Sequence, residues 1–191
     1  MGNKNYKVIL YSAQTQVVLD ALERDGVCFS KKAYVEQKYQ ESAPVFVSAY
    51  SWFAKEAQRY LHRPERAEYP YWAFKDLYNV EQFMDCRALE LSVPITEAIF
   101  FDMYDWIKVL RHEYIGETEA EEKLFRQKLA DYGVRQPSDI ATTNFYPDLN
   151  RELHDSWKRL FRHHEEIKTG EASEAKSVQA ALWQIKAEWI L

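Results

Sequence analysis

The fold class is decided by one stretch of the sequence, Arg87-Ala88-Leu89-Glu90-Leu91-Ser92-Val93-Pro94. Its large apolar residues alternate with small, polar or charged ones. Because successive side chains of a strand point to opposite faces, this period of two predicts a strand with one buried face. The strand should end at Pro94, since proline cannot donate a backbone hydrogen bond. Arg87 and Glu90 are then expected on opposite faces of the strand.

Helical patterns precede this strand. After Pro44, apolar residues recur at spacings of three and four, which predicts an amphipathic helix that ends before Pro64. A shorter helix is expected to begin at Ser12 or Thr15 and to end at Gly26, because glycine readily adopts the left-handed conformation of a helix C-terminus.

Helices also dominate the second half of the chain. Asp102 is expected to be the N-cap of a helix that runs to about Ile115, with Gly116 as its stop. The sequence Thr118-x-x-Glu121 has the spacing of a capping box, which predicts a second helix. Residues 133–147 are expected to form a loop, and a third helix should follow them.

Together these patterns predict an α+β fold in a single domain over residues 1–191. We expect a mixed or antiparallel sheet with helices packed on it, and a helical C-terminal half that ends in a strand. Strands are predicted at 7–11, 27–30 and 98–101, and an alternating terminal strand at 183–189. The polar segment 166–176 is expected to be a mobile loop.

Composition and charge exclude several classes of function. The chain has 5 glycines, too few to suggest a glycine-rich phosphate-binding loop. The net charge is −5, and the acidic excess lies in the second half, where 18 acidic residues face 13 basic ones. Broad nucleic-acid binding is therefore not expected, because it needs a basic surface.

The expected compartment is the cytoplasm, without membrane attachment. Cys28 and Cys86 are far apart and fit no metal-binding spacing, and free thiols suggest a reducing environment. The N-terminal residues lack the apolar stretch of a signal peptide, and no apolar run reaches the length of a membrane-spanning helix.

The chain is rich in aromatic residues, with 6 Trp, 13 Tyr and 10 Phe. In Tyr69-Pro70-Tyr71-Trp72-Ala73-Phe74 they occupy both faces of any strand, so the segment lacks a single apolar face. It is either a strand buried on both sides or a platform on which Trp72 stacks against a base or a nicotinamide ring.

Four stretches resemble, in order, a bacterial family known as domain of unknown function 3841. They are Ile9-Leu10-Tyr11-Ser12-Ala13-Gln14, the segment 69–74, the strand 89–94 running into Phe101-Asp102 and Trp106, and the closing residues 178–190. The resemblance spans nearly the whole chain. Membership of this family implies no reaction.

The order of strand, helix, glycine and a later strand-Pro-strand-Asp unit is distantly similar to small ADP-ribosyltransferase-like enzymes. That resemblance implies NAD as cofactor, with Trp72 and Tyr78 clamping the nicotinamide ring. It also implies a catalytic glutamate on a late strand, which would be Glu188, with Glu90 as the substitute. Tyr11, Ser12 and Gln14 would occupy the position of the first strand.

Two hypotheses remain open. The first is a small-molecule or nucleotide site; its candidate ligand-binding residues are Tyr11, Ser12, Gln14, Trp72, Tyr78 and Arg87, with Glu90 and Glu188 as candidate catalytic residues. The second is a non-catalytic module that binds a protein partner through exposed aromatic side chains. A concave pocket containing Trp72 with Gln14 or Glu90 favours the first hypothesis, whereas a flat aromatic patch favours the second.

Overall fold

The computed structural model describes residues 6–81, 85–171 and 173–191. Its strands are β1 (Lys7–Thr15), β2 (Val27–Cys28), β3 (Tyr71–Phe74), β4 (Cys86–Pro94), β5 (Ile99–Asp102), β6 (Val178–Leu182) and β7 (Ile185–Lys186). The main sheet has five strands in the order β4-β1-β3-β6-β5, and every neighbouring pair is antiparallel. Strands β2 and β7 form a separate antiparallel pair. The predicted α+β class is confirmed.

The helices occupy the connections between the strands and most of the second half. They are α1 (Gln16–Asp25), α2 (Lys32–Tyr39), α3 (Ala43–Glu56), α4 (Met103–Leu110), α5 (Glu119–Asp131), α6 (Ser138–Thr142), α7 (Pro147–Trp157) and α8 (His164–Thr169). As predicted, Gly26 ends α1 with a φ of 72°, and the Asp102 side chain caps α4 by accepting a hydrogen bond from the Tyr104 amide.

The alternating stretch that predicted a strand is β4. It pairs with β1 along its whole length, from Lys7 opposite Pro94 to Thr15 opposite Cys86. Leu89, Leu91 and Val93 are buried and Glu90 is exposed, as the alternation predicted. Arg87 shares the face of Leu89 but lies near the end of the strand, where it too is exposed.

Two hydrophobic cores lie on the two sides of the main sheet. The first core contains Phe101 of β5 together with apolar residues of α3, α4, α5 and α7. The second core contains Phe100, the neighbouring residue, together with Leu10, Leu91 and apolar residues of α1. Because Phe100 and Phe101 point in opposite directions, the β5 end of the sheet is covered on both faces.

Helix α4 ends at Leu110, five residues before the predicted end at Ile115. His112 has a positive φ of 56°, and its amide donates to the Val109 carbonyl at 3.0 Å. The Glu113 amide donates to the Lys108 carbonyl at 2.8 Å, which completes a Schellman motif. His112 adopts this left-handed conformation although it is not a glycine. Its buried ring packs against Trp157, with 5.6 Å between the ring centroids.

Three other expectations need correction. Residues 133–147 are not all loop, since they contain α6. The predicted mobile segment 166–176 begins inside α8, and its mobility stays a prediction. The predicted strand 183–189 is interrupted, because the Trp183 indole turns into the first core and donates to the Leu61 carbonyl at 3.1 Å. Glu188 therefore lies in a 3-10 turn at 187–189 and not on a strand.

Both outer strands of the main sheet are bonded on their free edges by other parts of the chain. Along β4, Leu91 forms a bridge with Ile190, and the Leu191 amide donates to the Glu90 carbonyl at 3.0 Å. Along β5, the Phe100 amide donates to Nδ1 of the buried His164 at 3.0 Å. His164 must be unprotonated at Nδ1 to accept this bond.

The buried histidines predict that stability decreases with acid. Burial lowers the pKa of both His112 and His164 to about 4, below the ordinary value of 6.5. Between these pH values the unfolded chain binds protons that the folded chain does not, so the free energy of unfolding falls as the pH falls. The loss approaches about 3 kcal/mol for each fully shifted histidine. Urea denaturation at a series of pH values measures it.

His164→Asn is the matched variant for this measurement. The asparagine carbonyl can accept the Phe100 amide hydrogen but does not titrate. Its plot of unfolding free energy against pH should be flatter than that of the wild type in this window. Equal slopes would contradict the assignment of a neutral, buried His164.

Candidate functional site

One cross-strand row runs through the whole main sheet. It consists of Glu90, Tyr11, Phe74, Gln179 and Phe101, each directly opposite the next on β4, β1, β3, β6 and β5. Directly opposed residues share a face, so all five side chains lie on the side of the first core. The row passes from the exposed Glu90, through the half-buried Tyr11 and Phe74, to the buried Gln179 and Phe101.

The exposed end of this row belongs to an apolar surface, which we call the open face. Its apolar residues are Ile9, Tyr11, Ala13, Phe74 and Ala88, and none of them belongs to either hydrophobic core. Ile9 is 38% exposed. Helix α1 packs against the other side of β1, since its buried residues Val18 and Leu22 lie in the second core. The open face is therefore a half-sheet surface that the first core does not cover.

Gln179 marks the border between the open face and the first core. Its side chain is 3% exposed, and its Oε1 accepts no hydrogen bond from the residues that the structure describes. An unpaired buried carbonyl costs about 1–3 kcal/mol of stability. Gln179 lies between Phe74 and Phe101, so the unpaired acceptor sits between an open-face ring and a core ring.

Trp72 packs as part of the first core. Its Nε1 donates to the Tyr50 hydroxyl at 2.8 Å. Its ring lies edge-on to Phe53 at 5.1 Å and tilted against Trp106 at 4.6 Å. Burial raises the pKa of the Tyr50 hydroxyl, so Tyr50 stays neutral in this cluster. The polar group of Trp72 is thus bonded within the protein, and its ring contacts other rings.

Ser12, Gln14 and Arg87 lie on the opposite side of the sheet from the open face. The Ser12 hydroxyl donates to the Trp72 carbonyl at 2.6 Å and accepts from Gln14 Nε2 at 2.8 Å. Gln14 is directly opposite Arg87. Both line an open cleft of about 360 Å³, which we call the α1 cleft; its other lining residues are Gln16, Leu19, Asp85 and Cys86.

The predicted site residues are therefore divided among several places. Tyr11 and Glu90 meet on the open face, whereas Gln14 and Arg87 meet on the other side. Tyr78 lies in a 3-10 turn at 77–79 and is 81% exposed, and Glu188 is exposed in its own turn. The α1 cleft is not lined by Trp72.

A second cleft has a volume of about 490 Å³. Its lining residues are Tyr114, Asp148, Arg151, Glu152, Asp155, Ser156 and Arg159. Arg159 donates to the Ile115 carbonyl at 3.0 Å and lies 3.5 Å from Glu117 and 3.8 Å from Glu121. The Arg159 charge is thus paired with the acidic segment that precedes and begins α5, and Arg151 pairs with Asp148.

The carboxylates of Asp102 and Asp105 are both bonded to other groups of the protein. Asp102 accepts from the amides of Tyr104 and Lys176, at 2.9 and 2.7 Å. Asp105 is buried and pairs with Arg162 at 2.8 Å. Burial raises the pKa of the Asp105 carboxyl, while the nearby charges of Arg162 and Lys108 oppose that shift. Within the described residues, no group of three potential metal ligands occurs.

An antiparallel five-stranded sheet with a hydrophobic core on each side, the first of which covers only half of it, defines an α+β domain protein. The chain matches the model of the domain of unknown function DUF3841 over residues 9–191, and it belongs to that family. No curated protein and no solved structure matches it. In the part of the chain that the structure describes, no helix has both the length and the apolar character needed to span a bilayer.

Substitution of Trp72 tests its place in the first core. Trp72→Ala should lower the free energy of unfolding by about 3–5 kcal/mol, because it removes a large packed ring and its bond to Tyr50. The exposed Tyr78→Ala is the control and should change it by less than about 0.5 kcal/mol. Urea denaturation monitored by circular dichroism measures both. Equal effects of the two substitutions would contradict the packing of Trp72 described above.

Proposed function

We propose that this protein is a binding module that docks a protein partner on the open face. The observation that carries the proposal is the set of five apolar side chains, Ile9, Tyr11, Ala13, Phe74 and Ala88, that belong to neither core. A contiguous apolar surface rimmed by polar residues is typical of an interaction site. Tyrosine and phenylalanine are also enriched at protein interfaces.

The charges around the open face describe the partner further. Glu90 is exposed and forms no side-chain ion pair with the residues that the structure describes. A partner that fits this surface has apolar side chains opposite Ile9, Tyr11 and Phe74, and a lysine or arginine that meets Glu90. The patch is small, so we expect an interface at the low end of the size range and a transient complex. We place the complex in the cytoplasm, where the free Cys28 and Cys86 would stay reduced.

Photocrosslinking tests the proposed docking surface. With p-benzoylphenylalanine in place of Tyr11, irradiation of cells should give a discrete adduct heavier than the 22.7 kDa chain. The same residue in place of the exposed Tyr132, which directly follows α5, is the matched control and should give no such adduct. Mass spectrometry of the adduct then identifies the partner and its contact residue.

Two substitutions decide whether the adduct depends on the proposed contacts. Ile9→Asp places a charge on the open face, and Glu90→Lys reverses the charge that should meet the partner. Both should abolish the Tyr11 adduct while leaving the melting temperature within a few degrees. Identical adducts from positions 11 and 132, or adducts that persist in both variants, would rule the docking surface out.

A second candidate function is binding of a nucleotide such as NAD, with ADP-ribosyl transfer as the reaction. The direct pairing of Tyr11 with Glu90 supports it, because a ring and a carboxylate are then neighbours on one surface. In this proposal the Tyr11 ring stacks on nicotinamide and Glu90 stabilises the developing positive charge. The first strand lacks the histidine or arginine typical of ADP-ribosyltransferase-like enzymes, which makes this the weaker of the two proposals.

Thermal shift with NAD tests the second candidate. A ligand at 100 times its dissociation constant should stabilise the fold by about 2.7 kcal/mol, which raises the melting temperature by several degrees. Tyr11→Ala should remove the shift, whereas Tyr132→Ala should keep it. No shift with NAD in the wild type would exclude this function.

A further inference from the structure

The α1 cleft carries polar groups that the fold itself does not use. It lies on the second-core side of β1 and β4, away from the open face, so the two surfaces are independent. It is an open cleft with a volume of about 360 Å³. Three of its lining residues are charged or reactive, namely the exposed Asp85 and Arg87 and the half-buried Cys86. The nearly buried Gln14 also lines it.

Arg87 is an unpaired cation in this cleft. Its guanidinium forms no hydrogen bond and no ion pair with any residue that the structure describes, although Asp85 lines the same cleft. By contrast, Arg151 in the second cleft pairs with Asp148, and Arg162 pairs with Asp105. A guanidinium offers a planar set of donors that matches the oxygens of phosphate or carboxylate.

The first turn of α1 adds positive potential at the same place. Gln16 and Leu19 of this turn line the cleft. The N-cap residue Thr15 makes no side-chain capping bond, and the first turn contains no acidic residue. The amides of the first turn of a helix lack partners within the helix, and the helix dipole favours an anion there.

Gln14 supplies an acceptor of known orientation. Its side chain is 8% exposed. The Ser12 hydroxyl gives its hydrogen to the Trp72 carbonyl, so Ser12 must accept from Gln14 Nε2. The amide nitrogen is thereby directed to Ser12, and no donor among the described residues reaches Oε1. Oε1 is therefore open to the cleft, where it can accept a hydrogen bond from a ligand that carries an O–H or N–H group.

We propose that the α1 cleft binds a small phosphorylated molecule that also carries a hydroxyl or amino donor. The phosphate oxygens accept from Arg87 and from the first-turn amides of α1. A ligand O–H or N–H donates to Gln14 Oε1, and Asp85 provides a second acceptor at the rim. The site needs the acceptors Gln14 and Asp85 as well as the donor Arg87, because Arg87 alone would bind any anion.

Inorganic phosphate and sulfate form the discriminating pair of probes. Both carry oxyanion charge, but phosphate keeps a P–O–H donor near neutral pH and sulfate has none. The half-buried Cys86 reports occupancy, because a ligand in the cleft blocks its alkylation by N-ethylmaleimide. Cys28 is buried and accepts a hydrogen bond from the Tyr71 hydroxyl, so it should react more slowly. Peptide mass spectrometry separates the two thiols.

Phosphate at ten times its dissociation constant should slow the labelling of Cys86 about tenfold, at an ionic strength matched with sodium chloride. Sulfate should protect less at equal concentration. Arg87→Gln should abolish protection by both ions. Arg151→Gln, which changes an arginine of 73% side-chain exposure in the other cleft, should leave protection unchanged.

Gln14→Leu should remove the preference for phosphate over sulfate while Arg87 still binds both. Near-UV circular dichroism checks that Gln14→Leu folds. If it does not fold, the loss of protection in Arg87→Gln is the test of the proposed site. Labelling of Cys86 at the same rate in phosphate and in sodium chloride would overturn the proposal. So would full protection in Arg87→Gln, or equal protection of the wild type by phosphate and sulfate.

Discussion

The nine-residue antiparallel pairing of β1 with β4 determines which side chains can meet in this molecule. It places Tyr11 opposite Glu90 and, three residues further along β1, Gln14 opposite Arg87. Because three residues along a strand change the face, the two pairs lie on opposite sides of the sheet. A shift of β4 by one residue against β1 would turn its Leu89, Leu91 and Val93 out of the second core.

The second constraint is that the helices cover the sheet unevenly. Strands β5 and β6 contribute neighbouring residues to both cores, so that half of the sheet is buried on two sides. Strands β1 and β4 contribute Leu10, Leu89 and Leu91 to the second core, and their other face remains outside both cores. The open face exists because the first core does not extend over this half of the sheet, whereas the α1 cleft lies on the side of the second core.

Local signals in the sequence predicted the local features well. The alternation in β4, the left-handed Gly26 and the N-cap Asp102 each depend on residues within a few positions, and all three occur as predicted. The early end of α4 was not predictable in this way. A histidine in the left-handed region is uncommon, and the buried His112 packs against Trp157, which is 45 residues away in the chain.

The candidate sites were less predictable than the fold for the same reason. Tyr11, Gln14, Glu90 and Arg87 could be selected by type, and alternation separates Arg87 from Glu90. That Tyr11 meets Glu90 and Gln14 meets Arg87 depends on pairing across more than 70 residues of sequence. The Trp72 segment was ambiguous because its aromatic residues occupy both faces of a short strand. Only the positions of Tyr50, Phe53 and Trp106 around the Trp72 ring assign it to the first core.

Hydrogen bonds at the two outer edges of the main sheet hinder the addition of a strand from another molecule. Exposed edge strands are templates for strand addition, and through it for aggregation. Here the β4 edge is bonded by Ile190 and Leu191, and the β5 edge at Phe100 by the His164 ring. Further strands are therefore hindered at both edges, which leaves the flat surface of the sheet for association. Protonation of the His164 ring removes the acceptor of the Phe100 amide, so this position of the β5 edge loses its bond in acid.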